Sequence, residues 1–435
     1  MAPEIIGSIG ILVLLFLFMI GVPVAFAMAL IGVGGFIILN DVESALGLLA
    51  YDIFDMFSSY TLSVIPMFIF MGSVAYAAGI SQRLYKTTYV WLGSLRGGMT
   101  IATVFACAGF SAICGSTAAT VATMGRIALP EMQKYNYSDR LSTGTIAGAG
   151  TLGILIPPST ILIIYGILTE QSIGELFLAG IFPGILLSMA FISTVIVLCA
   201  INPKAGPPGE KTTFYAKVRS LGGIFEALLL FALTIGGIFA GWFSPTQAGA
   251  IGASGAFVIG IVRRQMTLKE IYSSCREGLQ TAVMILFIIT GATIFGHFMA
   301  VSNIPFALAD WVGSMNLPTS VLVGMIILVY FLGGFFMDSM ALVVVTIPIF
   351  YPVVQRVGLD PIWFGVIIVL VAEMGVITPP VGVNVYIMKG IAPEDTTLES
   401  IFWGVTPFLI ALCLVTLVIV LFPQIATFLP HLFSL

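Results

Sequence analysis

The stretch Gly153-Ile154-Leu155-Ile156-Pro157-Pro158-Ser159 decides the fold, and it is answered far downstream by Gly375-Val376-Ile377-Thr378-Pro379-Pro380-Val381. Each lies inside a long apolar run. A proline ring removes a backbone donor, clashes with the preceding turn and pushes the residue before it toward extended backbone, so a continuous helix must stop and restart at both places. Hydrocarbon holds no water to satisfy the freed groups, and unwound backbone at membrane depth is tolerated only where protein or a cavity encloses it. Glycine ahead of each double proline frees carbonyls at the end of the first half-helix. Proline in a first turn, followed by Ser159 or Gly382, suits the start of the second. Each break therefore offers carbonyl oxygens to a cation and amide dipoles to an anion. A kink that only shapes packing would explain one such break equally well, whereas two in corresponding places favour a binding cavity.

The surrounding composition agrees. Of 435 residues, 59% are hydrophobic and 8% charged, and mean hydropathy is +1.13. A soluble domain carries roughly a quarter charged residues, so the chain reads as an all-α polytopic membrane protein. The first residues carry Glu4 and no basic run, so the first apolar segment is expected to be a retained span and not a signal peptide. The formal net charge of -4 says less than the placement of charge. Cys107, Cys114, Cys199, Cys275 and Cys413 lack metal-like spacing and read as small core residues. Neither a Gly-x-x-x-x-Gly-Lys-[Ser/Thr] loop nor a His-Glu-x-x-His pair is present, which argues against ATP-driven transport and a metal-dependent hydrolase.

In order, residues 5–20 and 24–39 are apolar runs hinged at Gly21-Val22-Pro23. Residues 45–60, with Asp52 and Asp55, suit an interfacial amphipathic helix. Residues 62–78 can cross, and residues 81–95, with Arg83, Tyr85, Lys86, Tyr89 and Trp91, read as a second interfacial helix. Residues 98–129 are broken in the middle by Ser111-Ala112-Ile113-Cys114-Gly115-Ser116-Thr117, and each arm is too short to span. This predicts a re-entrant hairpin with a small, hydroxylated tip. Residues 141–168 form the first broken helix and 176–200 a plain span. A polar linker, 202–220, separates a first half (1–201) from a second (221–435).

The second half repeats the first, and is expected to carry interfacial helices of its own beside its scaffold spans. Pro23 matches Pro245 (245 − 23 = 222), and Pro130, Gln133, Gly153 and the double proline match Pro352, Gln355, Gly375 and the second double proline at the same offset. This predicts a second hairpin over 318–350 with its tip near Gly333-Gly334-Phe335-Phe336-Met337-Asp338, ahead of a second broken helix over 361–388. With the linker placed in the cytoplasm, Arg83, Lys86, Arg96, Lys134, Arg140, Arg263, Arg264, Lys269, Arg276 and Lys389 fall inside and the N-terminus lies in the periplasm. The halves are then two inverted-topology repeats, and broken helices and re-entrant tips meeting at the midplane describe a secondary transporter.

Oxygen ligands for a small hard cation are expected from Ser111, Ser116, Thr117, Thr151 and the backbone at Gly153, and a second set from Ser339, Thr378 and the backbone at Gly334, Met337 and Gly375. Small hydroxylated residues also let hairpins pack closely, which is the plain alternative for any one of them. Asp338, at a tip, is costly to bury and is a candidate for cation, proton or substrate contact. Ser116, Asp338, Pro158 and Pro380 are the expected substrate contacts. Glu373 and Arg126 are weaker candidates, and His297 reads as an interfacial histidine.

The order of Gly-Val-Pro-Val-Ala-Phe-Ala-Met at 21–28, the tip at 111–120, residues 153–159, Ser244-Pro245-Thr246-Gln247-Ala248 and residues 375–380 resembles the large membrane subunit of TRAP transporters, the tripartite ATP-independent periplasmic class. The resemblance covers essentially the whole chain. It implies sodium-driven uptake of an organic anion across the inner membrane by an elevator motion, with Na+ as the co-transported ion and no organic cofactor. It implies a periplasmic substrate-binding protein and a small four-helix membrane subunit as partners, with no role for nucleic acid. The sialic-acid branch is the nearest likeness, and C4-dicarboxylate permeases share every motif quoted. A stand-alone sodium/dicarboxylate carrier of the same superfamily is the alternative, and dependence on a binding protein discriminates the two.

Overall fold

The computed structural model describes residues 2–314 and 318–433; the outer ends of the two expected halves, Met1 and Leu435, lie outside the described residues. Among the described residues there are helices and no strands. In the first half these are α1 (Pro3–Met19), α2 (Val24–Leu39), α3 (Val42–Ser58), α4 (Val64–Ala77), α5 (Ile80–Leu92), α6 (Gly98–Cys114), α7 (Thr117–Lys134), α8 (Asp139–Ala149), α9 (Thr160–Thr169) and α10 (Ile173–Ile201). In the second they are α11 (Phe214–Ser220), α12 (Gly222–Phe231), α13 (Gly237–Phe239), α14 (Pro245–Val262), α15 (Leu268–Val301), α16 (Ile304–Ser314), α17 (Thr319–Gly334), α18 (Ser339–Val357), α19 (Pro361–Gly375), α20 (Val383–Lys389), α21 (Leu398–Leu421) and α22 (Gln424–Phe433). Six helical runs among the described residues are long and apolar enough to cross a membrane, or seven with the bent pair α3 and 61–77.

Local chemistry sets the boundaries. Proline stands before α2, and Ser or Thr side chains cap α7, α8, α9, α10, α14, α15 and α21 by accepting from an amide in the first turn. Asp41 caps α3, and the amide and hydroxyl of Ser44 hold its carboxyl below the usual carboxylate range. Each expected hairpin is a pair of short helices, but the tips are tighter than the sequence indicates. Ser111 to Cys114 continue α6, because the Gly115 amide still reaches the Ser111 carbonyl at 3.1 Å and Gly115 then turns left-handed at φ 64°. Only Gly115 and Ser116 form the first turn.

Two expectations about the membrane interface need correction. The α3 segment is amphipathic, yet Asp52 is buried, with Oδ1 3.4 Å from His297 Nε2 on α15, so one of its acids faces protein and not headgroups. His297, half-exposed, is the partner of that buried acid. The second half also lacks a separate counterpart of α3: α3 and 61–77 bend by 55°, whereas α15 runs unbroken for 34 residues.

The halves interlock. Helix α15 packs on α2, and α14 packs on α4; α8 packs on α21, and α19 on α10; α9 meets α18, and α20 meets α7. Each of these contacts between halves becomes another of the set when the halves are exchanged. At one end, Glu226 on α12 is held between Arg83 on α5 and Arg263 after α14, each ion pair at 2.5 Å, and Arg83 also donates to Gln265. The linker is stitched to the α5–α6 corner: the Gly97 amide donates to the Gly206 carbonyl at 2.9 Å, and the Gly209 amide to the Gly93 carbonyl at 2.8 Å.

Candidate functional site

Both double prolines lie where the helices break. After α8 the chain passes through a short 3-10 turn, Gly150–Ile154, before Ser159 caps α9. After α19 it turns through residues 376–382 before α20. Pro157-Pro158 and Pro379-Pro380 are both cis. The first break is buried except for the half-buried Ile156, while Pro379, Pro380 and Val381 are exposed.

Each tip is pressed against a break. A Cβ on Gly153 would lie 2.7 Å from the Ser116 carbonyl carbon and 2.8 Å from the Thr117 nitrogen, so glycine alone fits. Gly375 meets the backbone of Gly334 as closely. The Gly115 carbonyl accepts from the Thr160 hydroxyl at 2.9 Å, tying the first tip to the second half of its own broken helix. Ser111, fully buried, has a hydroxyl with no hydrogen-bond partner among the described residues, and it lies on the last turn of α6. Thr151 is fully buried and donates to the Gly148 carbonyl at 2.7 Å; Thr378 donates to the Met374 carbonyl at 2.5 Å.

The two systems share one cavity of about 540 Å³. Ser116, Thr117, Asp338 and Ser339 line it, as do Glu373, Asn384 and Arg126. Facing them are Ser73 and Tyr76 of α4 and Glu277 and Thr281 of α15. Pro158, Pro380, Ser111, Thr151, Gly153, Gly334, Met337, Gly375 and Thr378 are not part of the lining, so the expected contacts divide into a group on the cavity wall and a group in the backbone crossings. Asp338 presents its exposed surface on the cavity wall and caps α18, accepting from the Met340 amide at 3.1 Å. A carboxylate at a helix N-terminus is stabilised by the unpaired amides there.

Glu373 is more central than the sequence indicates. It is 2% exposed, and its two oxygens accept from the Thr117 hydroxyl and the Ser339 hydroxyl, each at 2.9 Å. One carboxylate thus touches both tips. Asn384, which sequence reasoning missed, donates from Nδ2 to the Ala147 carbonyl at 3.1 Å and leaves Oδ1 unpartnered. A polar residue just after the second break was the available signal. No group of three or more His, Cys, Asp or Glu side chains suited to a metal ion exists among the described residues.

Among solved structures, the YdaH transporter of Alcanivorax borkumensis shares the fold with a TM-score of 0.65 at 15% identity, over 87% of this chain and 88% of that one. The Neisseria gonorrhoeae MtrF structure follows with a TM-score of 0.59 at 15% identity, over 87% and 85%. Sequence relatives are nearer. The C4-dicarboxylate TRAP transporter large permease protein DctM of Pseudomonas aeruginosa is 34% identical over 88% of this chain and 89% of its own. The sialic acid TRAP transporter large permease protein SiaM of Vibrio cholerae is 31% identical over 98% and 99%. The ectoine/5-hydroxyectoine TRAP transporter large permease protein UehC of Ruegeria pomeroyi is 33% identical over 85% and 86%. These relatives are transporter permeases and not enzymes. Residues 11–425 match the family model described as "Tripartite ATP-independent periplasmic transporter, DctM component", and the chain belongs to that family.

Proposed function

We propose that this chain carries out sodium-coupled uptake of an organic anion across the bacterial inner membrane, receiving its cargo from a periplasmic binding protein and working beside a small four-helix membrane subunit. The observation that carries this reading is one cavity lined by both hairpin tips, with Arg126 and the hydroxyl residues Ser116, Thr117 and Ser339 all in its wall. An arginine offers a planar fork to a carboxylate, while hydroxyl and carbonyl oxygens suit sodium. The cation positions are assigned to the first set, Ser111, Ser116, Thr117, Thr151 and Gly153, and the second, Gly334, Met337, Ser339, Gly375 and Thr378.

The cargo favoured is sialic acid. Arg126 is the one cation among the described residues lining the cavity, beside Asp338, Glu277 and Glu373. A single carboxylate carrying several hydroxyl donors suits that wall better than a dicarboxylate does. The cavity follows α15 from Glu277 to Ile288 and α4 from Ile69 to Tyr76, toward the end that carries Arg263 and Arg264. With basic residues in the cytoplasm, the cavity faces inward and the N-terminus lies in the periplasm. The inverted halves support an elevator motion in which hairpins and broken helices move together against α2, α4, α14 and α15.

The test is uptake of labelled sialic acid into proteoliposomes containing this chain and its small subunit, with and without a sodium gradient and a cognate binding protein. Uptake is expected only with both. Uptake without the binding protein would favour a stand-alone carrier. Uptake of a C4-dicarboxylate but not sialic acid would overturn the cargo assignment alone.

A further inference from the structure

Glu373 is a buried carboxylate without a cationic partner: among the described residues no lysine, arginine or histidine forms an ion pair with it. Removing a carboxylate from water is costly unless its charge is compensated. Its only polar contacts described are the two hydroxyls, and these come from sites 222 residues apart: Thr117, directly after the first tip, and Ser339, directly after the second. The position equivalent to Glu373 in the first broken helix is Thr151, so the molecule holds one such carboxylate and not two.

Hydroxyl chemistry gives this arrangement a direction. A hydroxyl has one proton and two lone pairs. Once Thr117 and Ser339 have committed their protons to Glu373, both oxygens can only accept from anything else. Donation to an anion also strengthens the acceptor character of the donating oxygen. Both hydroxyls line the cavity. The carboxylate thereby holds two oxygens, one from each tip, in the state that binds a cation.

We propose that Glu373 is the shared counter-charge of the two cation positions and the strut that keeps the two tips in register. It is a positioning residue, acting through Thr117 and Ser339 without contacting the transported anion. This inference rests on the sodium-coupled reading above and adds to it that the two positions are coupled through one side chain.

The experiment measures the sodium-dependent rise in melting temperature of the purified full-length protein, with choline replacing sodium at constant ionic strength, alongside the sodium dependence of uptake. In E373Q the shape is kept and the charge is lost, and half-saturating sodium is expected to rise roughly ten-fold or more, the scale of a lost hydrogen bond to a charged group. T117V and S339A each remove a ligand oxygen together with the donor to Glu373 and are each expected to raise it as well. E373Q with unchanged half-saturating sodium would overturn the proposal. Should E373Q fail to fold, T117V and S339A carry the test by themselves: non-additive shifts in the double variant support a shared partner, and strictly additive shifts overturn it. A wild-type protein with no sodium-specific stabilisation and no sodium-dependent uptake would remove the sodium reading itself, a result distinct from a normal wild type with a silent E373Q.

Discussion

At the scale of single residues, the two crossings of tip and break depend on the absence of a side chain. Because Gly153 meets backbone and not a flexible side-chain end, G153A is expected to destabilise the protein by about 1–3 kcal/mol, and G375A likewise. Gly324, inside α17 with open space around it, is the control; G324A is expected to be neutral or stabilising by up to about 1 kcal/mol. Denaturation in detergent, monitored by intrinsic fluorescence, compares the three. Asp338 separates its two roles in the same way. D338N should keep the cap and the stability, whereas D338A should lose about 1 kcal/mol. Loss of uptake in D338N at unchanged stability would assign the carboxylate to cargo or cation; retained uptake would leave it a cap. The breaks, their glycines and the hydroxylated tips were legible in the sequence because proline and glycine act locally. Glu373 was legible only as a weak candidate, since its meaning comes from two hydroxyls that lie 256 and 34 positions away.

At the scale of elements, boundaries were read best where a local rule sets them and worst where two rules compete. The second half of the α3–α4 system illustrates this. Ser58-Ser59-Tyr60-Thr61 offers hydroxyls that bond locally and compete with the helix, and the chain bends there; the equivalent Gln280-Thr281-Ala282-Val283 stays helical within α15. Sequence repetition carried the expectation across, although the bending residues themselves are not repeated. The bent helix is then held to α15 by Asp52 and His297. H297A leaves a buried carboxylate alone and is expected to cost about 2 kcal/mol, whereas adding D52N to H297A should recover most of it. A double-variant cycle in urea or by thermal melting checks this, and additive costs would show that the two side chains do not act as a pair.

At the scale of the whole molecule, the recurrence of prolines at one offset was legible in the sequence, but the interlocking was not, because no pattern within one half says which helix of the other it will meet. Glu226 belongs to this scale. It lies between Arg83 of the first half and Arg263 of the second and is 5% exposed. E226A leaves two partly solvated arginines facing each other and is expected to cost about 1.5–3 kcal/mol, while E226Q, which still accepts one hydrogen bond, should cost less; thermal melting at low and high salt distinguishes them. The interlocking of α2 with α15, α4 with α14 and α8 with α21 means that many of the packing partners of each half are supplied by the other. The polypeptide is in this sense a heterodimer whose subunits happen to be fused. Two open reading frames divided near Lys211 should yield fragments that are unstable alone and that copurify as a functional pair when expressed together; stable accumulation of either fragment by itself would contradict this. A connection of this kind confers equal dosage of two unequal partners, so that the halves can differ, one carrying Thr151 where the other carries Glu373, without the two ever competing to pair with copies of themselves.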